Sequence, residues 1–269
     1  MSVTLHFRKS GHGLPLIILH GLYGSSDNWI SIARKLEERF TVFIPDLRNH
    51  GQSPHTSTHT YQDMVDDLYN FFNDHHIYKA VLLGHSMGGK LAMMFAAEYP
   101  ELITSLIVAD ISPKNYNSEN KPLKTVLQHE MILGLMEELN LVAVSSRREI
   151  DYFLSEKLKD RTLRQFLIKN IRRNKEGYFE WKINVPVLKH ALNSITRDVN
   201  SDWFSERQPI LNYPVTFIRG LNSDYISDQD FSGIKEIYPE ARLIDIPDAG
   251  HWLHAEQPEK FIEAVLASV

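Results

Sequence analysis

The sequence predicts an α/β architecture: a mostly parallel central sheet with helices on both faces and one inserted helical segment. Three observations predict it. Apolar runs too short for helices alternate with amphipathic helical stretches from residue 14 to residue 110. The alternation stops near Lys114, where charged helical stretches follow one another to about Arg207, and it resumes at Pro214. Between one apolar run and the helix after it stands Gly84-His85-Ser86-Met87-Gly88, a G-x-S-x-G motif in strand–turn–helix context.

Taken in order, residues 3–8 alternate, with Val3, Leu5 and Phe7 on one face, and Gly11-His12-Gly13 turns the chain, so an antiparallel edge hairpin is expected. Residues 14–19 are continuously apolar, as in a strand covered on both faces, and end at His20-Gly21-Leu22-Tyr23-Gly24-Ser25. Residues 27–40 carry Trp29, Ile32, Ala33 and Leu36 at helical spacing. Residues 41–44 form the next strand, followed by the polar loop Asp46-Leu47-Arg48-Asn49-His50-Gly51-Gln52-Ser53. His55 and His59 lie four apart in a Ser/Thr-rich stretch without nearby carboxylates, so a solvated loop is expected there rather than a metal site. Residues 61–75 place Met64, Val65, Leu68, Phe71 and Phe72 on one helical stripe.

The apolar strand 80–83, the G-x-S-x-G turn and the helix 90–97 come next, and a further apolar run, 102–109, ends in Asp110-Ile111-Ser112-Pro113. The inserted segment contains helical stretches around 123–141, 146–158, 161–173 and 187–194, with a short extended piece around 177–184. Its apolar stripes (Leu133, Leu135, Met136; Phe153, Leu154; Phe166, Leu167) read as the insertion's own core. This divides the chain into a core, residues 1–113 and 208–269, and a helical cap, residues 114–207. After the insertion, the strand 214–218 leads to the turn Asn222-Ser223-Asp224-Tyr225 and a helix to Tyr238. The strand 242–246 leads to Pro247-Asp248-Ala249-Gly250-His251-Trp252, and Pro258 opens a closing helix.

Composition narrows the class. The chain has 269 residues, enough for one large core with an insertion, and 43% hydrophobic with 23% charged residues is ordinary for a soluble globular protein. A net charge of -5 gives no basic surface for nucleic acid. With no cysteine there is no disulfide, thiol nucleophile or thiolate metal site. No apolar stretch reaches membrane-spanning length and no signal peptide is visible, so a cytoplasmic location is expected. No Walker A pattern and no dinucleotide G-x-G-x-x-G follows the first strand, so no cofactor is expected.

The chemistry gathers on strand ends. In a strand-to-helix turn the glycines are required because side chains at Gly84 or Gly88 would collide with the neighbouring strand or helix, while Ser86 is lifted above the sheet in a strained conformation. The free N–H groups of the helix that follows, that of Met87 included, point where negative charge would develop, and the backbone N–H of Leu22 in the His-Gly loop is the expected second oxyanion donor. Ser86, then an acid, then His251 is a nucleophile–acid–base order in which His251 accepts the serine proton and the acid holds the imidazole. An ordinary histidine base predicts activity rising with pH around 6 to 7. The residues themselves leave the acid open. Asp110 follows the strand after the nucleophile, Asp224 follows the strand after the insertion, and Asp228 is a third position.

His20-Gly21-Leu22-Tyr23-Gly24-Ser25 with Asp27-Asn28-Trp29, the loop 46–53, Gly84-His85-Ser86-Met87-Gly88-Gly89-Lys90, Val108-Ala109-Asp110-Ile111-Ser112-Pro113 and Ala249-Gly250-His251-Trp252-Leu253-His254-Ala255 carry a resemblance. In them the chain resembles the α/β-hydrolase superfamily and, within it, small bacterial acyl esterases of the YbfF type and their mitochondrial relatives. The likeness covers nearly the whole chain, the insertion included. It implies Asp110 as the acid. Family members need not carry an acid in the turn that holds Asp224, and this chain does, so Asp224 stays a second candidate.

The resemblance implies a serine hydrolase of short to medium acyl esters working through an acyl-enzyme, and possible acyl-CoA thioesterase activity. Arg147, Arg148, Arg172 and Arg173 are where a patch for CoA phosphates would be sought, against a plain solvated helix face. Two other classes stand beside this one. The same fold hydrolyses or cleaves C–C bonds, which inactivity on simple esters would indicate. A non-enzymatic ligand receptor of this fold would leave Ser86 unlabelled by a serine-directed phosphonate.

Overall fold

The computed structural model describes every residue except 1, 119, 120, 123, 198, 200 and 201. Its central sheet has seven strands: β1 (Phe7–Gly11), β2 (Leu14–Leu19), β3 (Phe40–Pro45), β4 (Ala80–His85), β5 (Ile103–Ala109), β6 (Val215–Gly220) and β7 (Arg242–Ile246). Their spatial order is β1-β3-β2-β4-β5-β6-β7, and every neighbouring pair is parallel except β1 with β3. The expected hairpin at the start of the chain is therefore corrected. β1 is an antiparallel edge strand, but its partner is β3, in the register Phe7 to Pro45 through Gly11 to Thr41, and β3 lies between it and β2. The turn after β1 also crosses the end of the first helix, where His12 N–H donates to the Glu37 carbonyl at 3.4 Å.

The continuous apolar runs follow from burial on both faces. In β4, Val81 and Leu83 belong to one apolar cluster, and Ala80 and Leu82 to the other. β2 divides the same way, with Leu16 and Ile18 on one face and Ile17 and Leu19 on the opposite face. Strand side chains alternate between faces, so a strand covered on both sides has no polar position to mark its period. One face is covered by the helices Ile30–Leu36 and Pro258–Leu266, through Ile32, Leu36, Phe261 and Val265. The other is covered by Tyr61–Asp74 and Met87–Glu98, through Met64, Leu68, Phe72, Leu91 and Phe95.

The segment between β5 and β6 holds the helices Lys124–Glu138, Arg147–Ser155, Arg161–Ile168 and Val185–Thr196. Leu123, where the first of these was expected to start, lies outside the described residues. The third was expected to run to residue 173 and stops at Ile168. Ile171–Arg173 instead pairs antiparallel with Phe179–Trp181. The cause is at the helix end, where Asn170 is buried and its amide donates to the Tyr23 carbonyl at 2.7 Å, which turns the chain out of the helix. Leu133, Leu135, Met136, Leu154 and Leu167 are buried within the insertion.

Contacts from the helix Met87–Glu98 and from the loop after β3 hold this segment down. Lys90 is fully buried, and its ammonium donates to the carbonyls of Lys114 and Thr196 at 3.2 Å each and to that of Arg197. Asn184 N–H donates to the Asn49 carbonyl at 2.9 Å. Among the described residues no helix is long and apolar enough to cross a membrane.

Candidate active site

The carboxyl ends of β4, β5 and β6 are drawn level by backbone bonds that continue past the strands. Ser86 N–H donates to the Ala109 carbonyl at 3.0 Å, and Asp110 N–H to the Ile218 carbonyl at 2.8 Å. Ser86 has φ 54° and ψ -121°, a conformation that non-glycine residues rarely adopt, and the helix starts at the next residue. The flanking glycines are sterically required. A Cβ on Gly84 would strike the Gly88 backbone, and one on Gly88 would strike the Leu19 and His20 carbonyls.

Three side chains converge at this edge. His251 Nε2 lies 3.0 Å from Ser86 Oγ, and His251 Nδ1 lies 2.8 Å from Asp110 Oδ2. A carboxylate beside Nδ1 fixes the tautomer, so Nδ1–H donates to Asp110 and Nε2 is left to accept from the serine hydroxyl. Asp110 is fully buried, accepts from Gly220 N–H at 3.2 Å and also from Ser223 Oγ. Burial pushes the Asp110 carboxyl up to about 7, against the hydrogen bonds of Ser223 and Gly220 and the charge of Arg219, which pull it down.

The other acid candidates fall elsewhere. Asp224 is exposed, and its charge acts on Asp110 as a like-charge neighbour. Asp228 is spent on Arg219, 2.7 Å away.

The His-Gly loop packs directly on the serine: a Cβ on Gly21 would come within 3.0 Å of Ser86 Cβ. His20 Nδ1–H and Gly24 N–H both donate to the Gly21 carbonyl at 2.9 Å, which fixes the turn. Leu22 and Met87 line the same cavity as Ser86.

Several contacts were not legible in the sequence. His85 Nε2–H donates to the His251 carbonyl at 2.7 Å, tying the elbow to the histidine loop. Tyr225 stacks on His251 with ring centroids 3.7 Å apart at 13°. The ring sits one residue past Asp224, so the turn identified from its acid contributes its aromatic residue instead. Phe166, expected in the insertion's core, lines a cavity beside His251 and Trp252.

His59 is buried, not solvated, with Nε2 3.3 Å from Met87 Sδ, whereas His55 is exposed. Among the described residues no three His, Asp or Glu side chains converge as metal ligands. The arginine patch is partly consumed by structure. Arg172 pairs with Glu180 at 2.6 Å, Arg147 donates to the Ile171 carbonyl at 3.0 Å, and Arg173 lies over the Phe179 ring.

Histidines crowd the site, and this gives a pH prediction. Burial lowers the values of His20, His50, His59, His85, His129, His251 and His254, with His59, His85 and His251 at about 3 and His129 at about 4. These rings are neutral in the fold and charge in the unfolded chain as pH falls below about 6.5. Through these histidines the unfolded state then binds more protons, so they make stability fall with pH from that value downward, by up to about 1.4 kcal/mol per histidine per unit. Asp110, raised to about 7, takes up its proton first in the fold and offsets about one of them. Activity should therefore hold through pH 6 to 7, below which its loss should coincide with unfolding. Initial rates and near-UV circular dichroism from pH 4 to 8 check this. A fall in rate centred between 6 and 7 with an intact spectrum would restore the ordinary histidine titration expected from sequence.

The family described as alpha/beta hydrolase fold matches residues 15–258. The sn-1-specific diacylglycerol lipase ABHD11 of Danio rerio is 36% identical over 265 residues, which cover 97% of this chain and 80% of that protein. Esterase YbfF of Escherichia coli K12 is 33% identical over 251 residues, covering 93% of this chain and 91% of that protein. A solved structure described as a marine microorganism esterase superposes with a TM-score of 0.94 at 42% identity, covering 100% of both chains.

Proposed function

Because this chain belongs to the α/β-hydrolase family, we propose that it hydrolyses carboxylic esters of small acyl groups through an acyl-enzyme on Ser86. The observation that carries the reading is the Ser86–His251–Asp110 chain of contacts at 3.0 and 2.8 Å on one sheet edge. Relatives described as esterases and a lipase support the ester class.

In this reading Ser86 Oγ attacks the ester carbonyl carbon as His251 Nε2 takes its proton. The carbonyl π electrons move to the oxygen, and the backbone N–H groups of Leu22 and Met87 receive that oxyanion, each worth on the order of 3 kcal/mol of barrier. His251 returns the proton to the departing alkoxide, leaving the acyl group on Ser86. Water then repeats the sequence, with His251 as base, and releases the acid. Asp110 holds the imidazole tautomer and offsets the charge it acquires. Residues 114–207 act as a cap over the core of residues 1–113 and 208–269, clasped by Lys90 and Asn49. A thioester reacts by the same steps, and the engaged arginines of the cap give that extension no added support.

Hydrolysis of p-nitrophenyl esters from acetate to palmitate tests the proposal, run beside the matching acyl-CoA thioesters. Turnover of the short and medium esters is the expected result. No turnover on any ester, together with failure of a fluorophosphonate to label Ser86, would overturn it.

A further inference from the structure

Two cavities reach Ser86. Met87, Ile111, Val126 and Ile195 line the first, together with Thr125 and Thr196. The second is bounded by Trp29, His85, Phe166, His251 and Trp252. They are small, about 30 and 20 Å³. Among the described residues only Leu22, Ser86 and His129 line both. Of these three, Leu22 and Ser86 belong to the core, and His129 alone comes down from the insertion, on the helix Lys124–Glu138.

His129 is held across the site by two tyrosines. Its Nε2 lies 3.0 Å from the Tyr225 hydroxyl and its Nδ1 3.3 Å from the Tyr23 hydroxyl. Burial keeps the ring neutral, at about 4, so one nitrogen donates and the other accepts. Tyr225 is the ring stacked on His251, so the same bridge reaches the histidine base.

The chemistry assigns the cavities. The leaving alkoxide takes its proton from His251, and His251 lines only the second cavity. The acyl group, on the opposite side of the carbonyl carbon, then occupies the first. We infer that His129 is the specificity-determining partition between an acyl cavity and a leaving-group cavity, favouring short acyl chains over longer ones. The inference rests on the ester-hydrolase reading above.

The test is kcat/KM for p-nitrophenyl acetate and octanoate in wild type, His129→Ala and His129→Phe. Removing the imidazole enlarges the acyl cavity by the volume of the ring, so His129→Ala should raise the octanoate-to-acetate ratio at least about tenfold, since even one methylene in an apolar pocket discriminates by that much. His129→Phe refills the volume without hydrogen bonds and should keep the wild-type ratio. His129→Ser is a second small variant if the alanine protein does not fold. An unchanged ratio in the small variants overturns the partition, and so does a His129→Phe shift as large as that of His129→Ala. A wild type that neither turns over any ester nor labels at Ser86 overturns the underlying reading instead, so the two failures are told apart.

Discussion

Ser86→Ala and His251→Ala should each lower kcat on p-nitrophenyl esters by roughly 10⁶-fold, with the fold intact. In the proposed mechanism the effect is large because nucleophile and base act as one unit: without Oγ there is no acyl-enzyme, and without Nε2 the hydroxyl keeps its proton. The 3.0 Å contact between them is the geometry such a transfer needs. Folding should survive in Ser86→Ala because the strain at φ 54° belongs to the turn set by Gly84 and Gly88, and a Cβ is already present. Steady-state kinetics with circular dichroism check both variants. Full activity in a well-folded Ser86→Ala protein removes the mechanism. For His251→Ala, a modest loss with an unchanged pH profile would move the base to another residue.

Asp110→Asn should cost about 10⁴-fold in kcat while Asp224→Asn changes it little. An amide at position 110 can donate to Nδ1, which favours the tautomer with the proton on Nε2, where it blocks the serine. Asp110 also gathers Gly220 N–H and Ser223 Oγ, so its replacement should loosen the turn after β6 and lower thermal stability as well. Asp224 is exposed, and its charge opposes ionisation of Asp110. Its removal should leave kcat the same or slightly higher. The comparison is made on one ester under identical conditions. A large loss at Asp224 alone would move the acid to the later strand and contradict the contact at 2.8 Å between Asp110 and His251.

Much of this was legible because the relevant signals are local. The stretches 16–19, 80–83 and 106–109 are apolar at every position because both faces of β2, β4 and β5 are buried there. The G-x-S-x-G turn has one steric solution, and the structure adopts it. Pairing partners are a different matter. The edge strand at Phe7–Gly11 pairs with β3, not with the strand that follows its turn, because hydrogen-bond partners are chosen across the sheet and not along the chain. The end of the helix at Ile168 depended on a carbonyl of Tyr23, far away in sequence, that captures Asn170.

The sequence by itself determined the alternating architecture, and its order places Ser86, Asp110 and His251 after successive predicted strands. Each of these follows from hydrophobic period, turn sterics or order along the chain, properties that short segments carry alone. Only the tertiary structure decided which acid meets His251, that Tyr225 stacks on it, that His59 is buried, and that His129 reaches down between two cavities. Those outcomes depend on distances between side chains far apart in sequence, set by how the sheet aligns its strand ends and how the inserted helices settle above them.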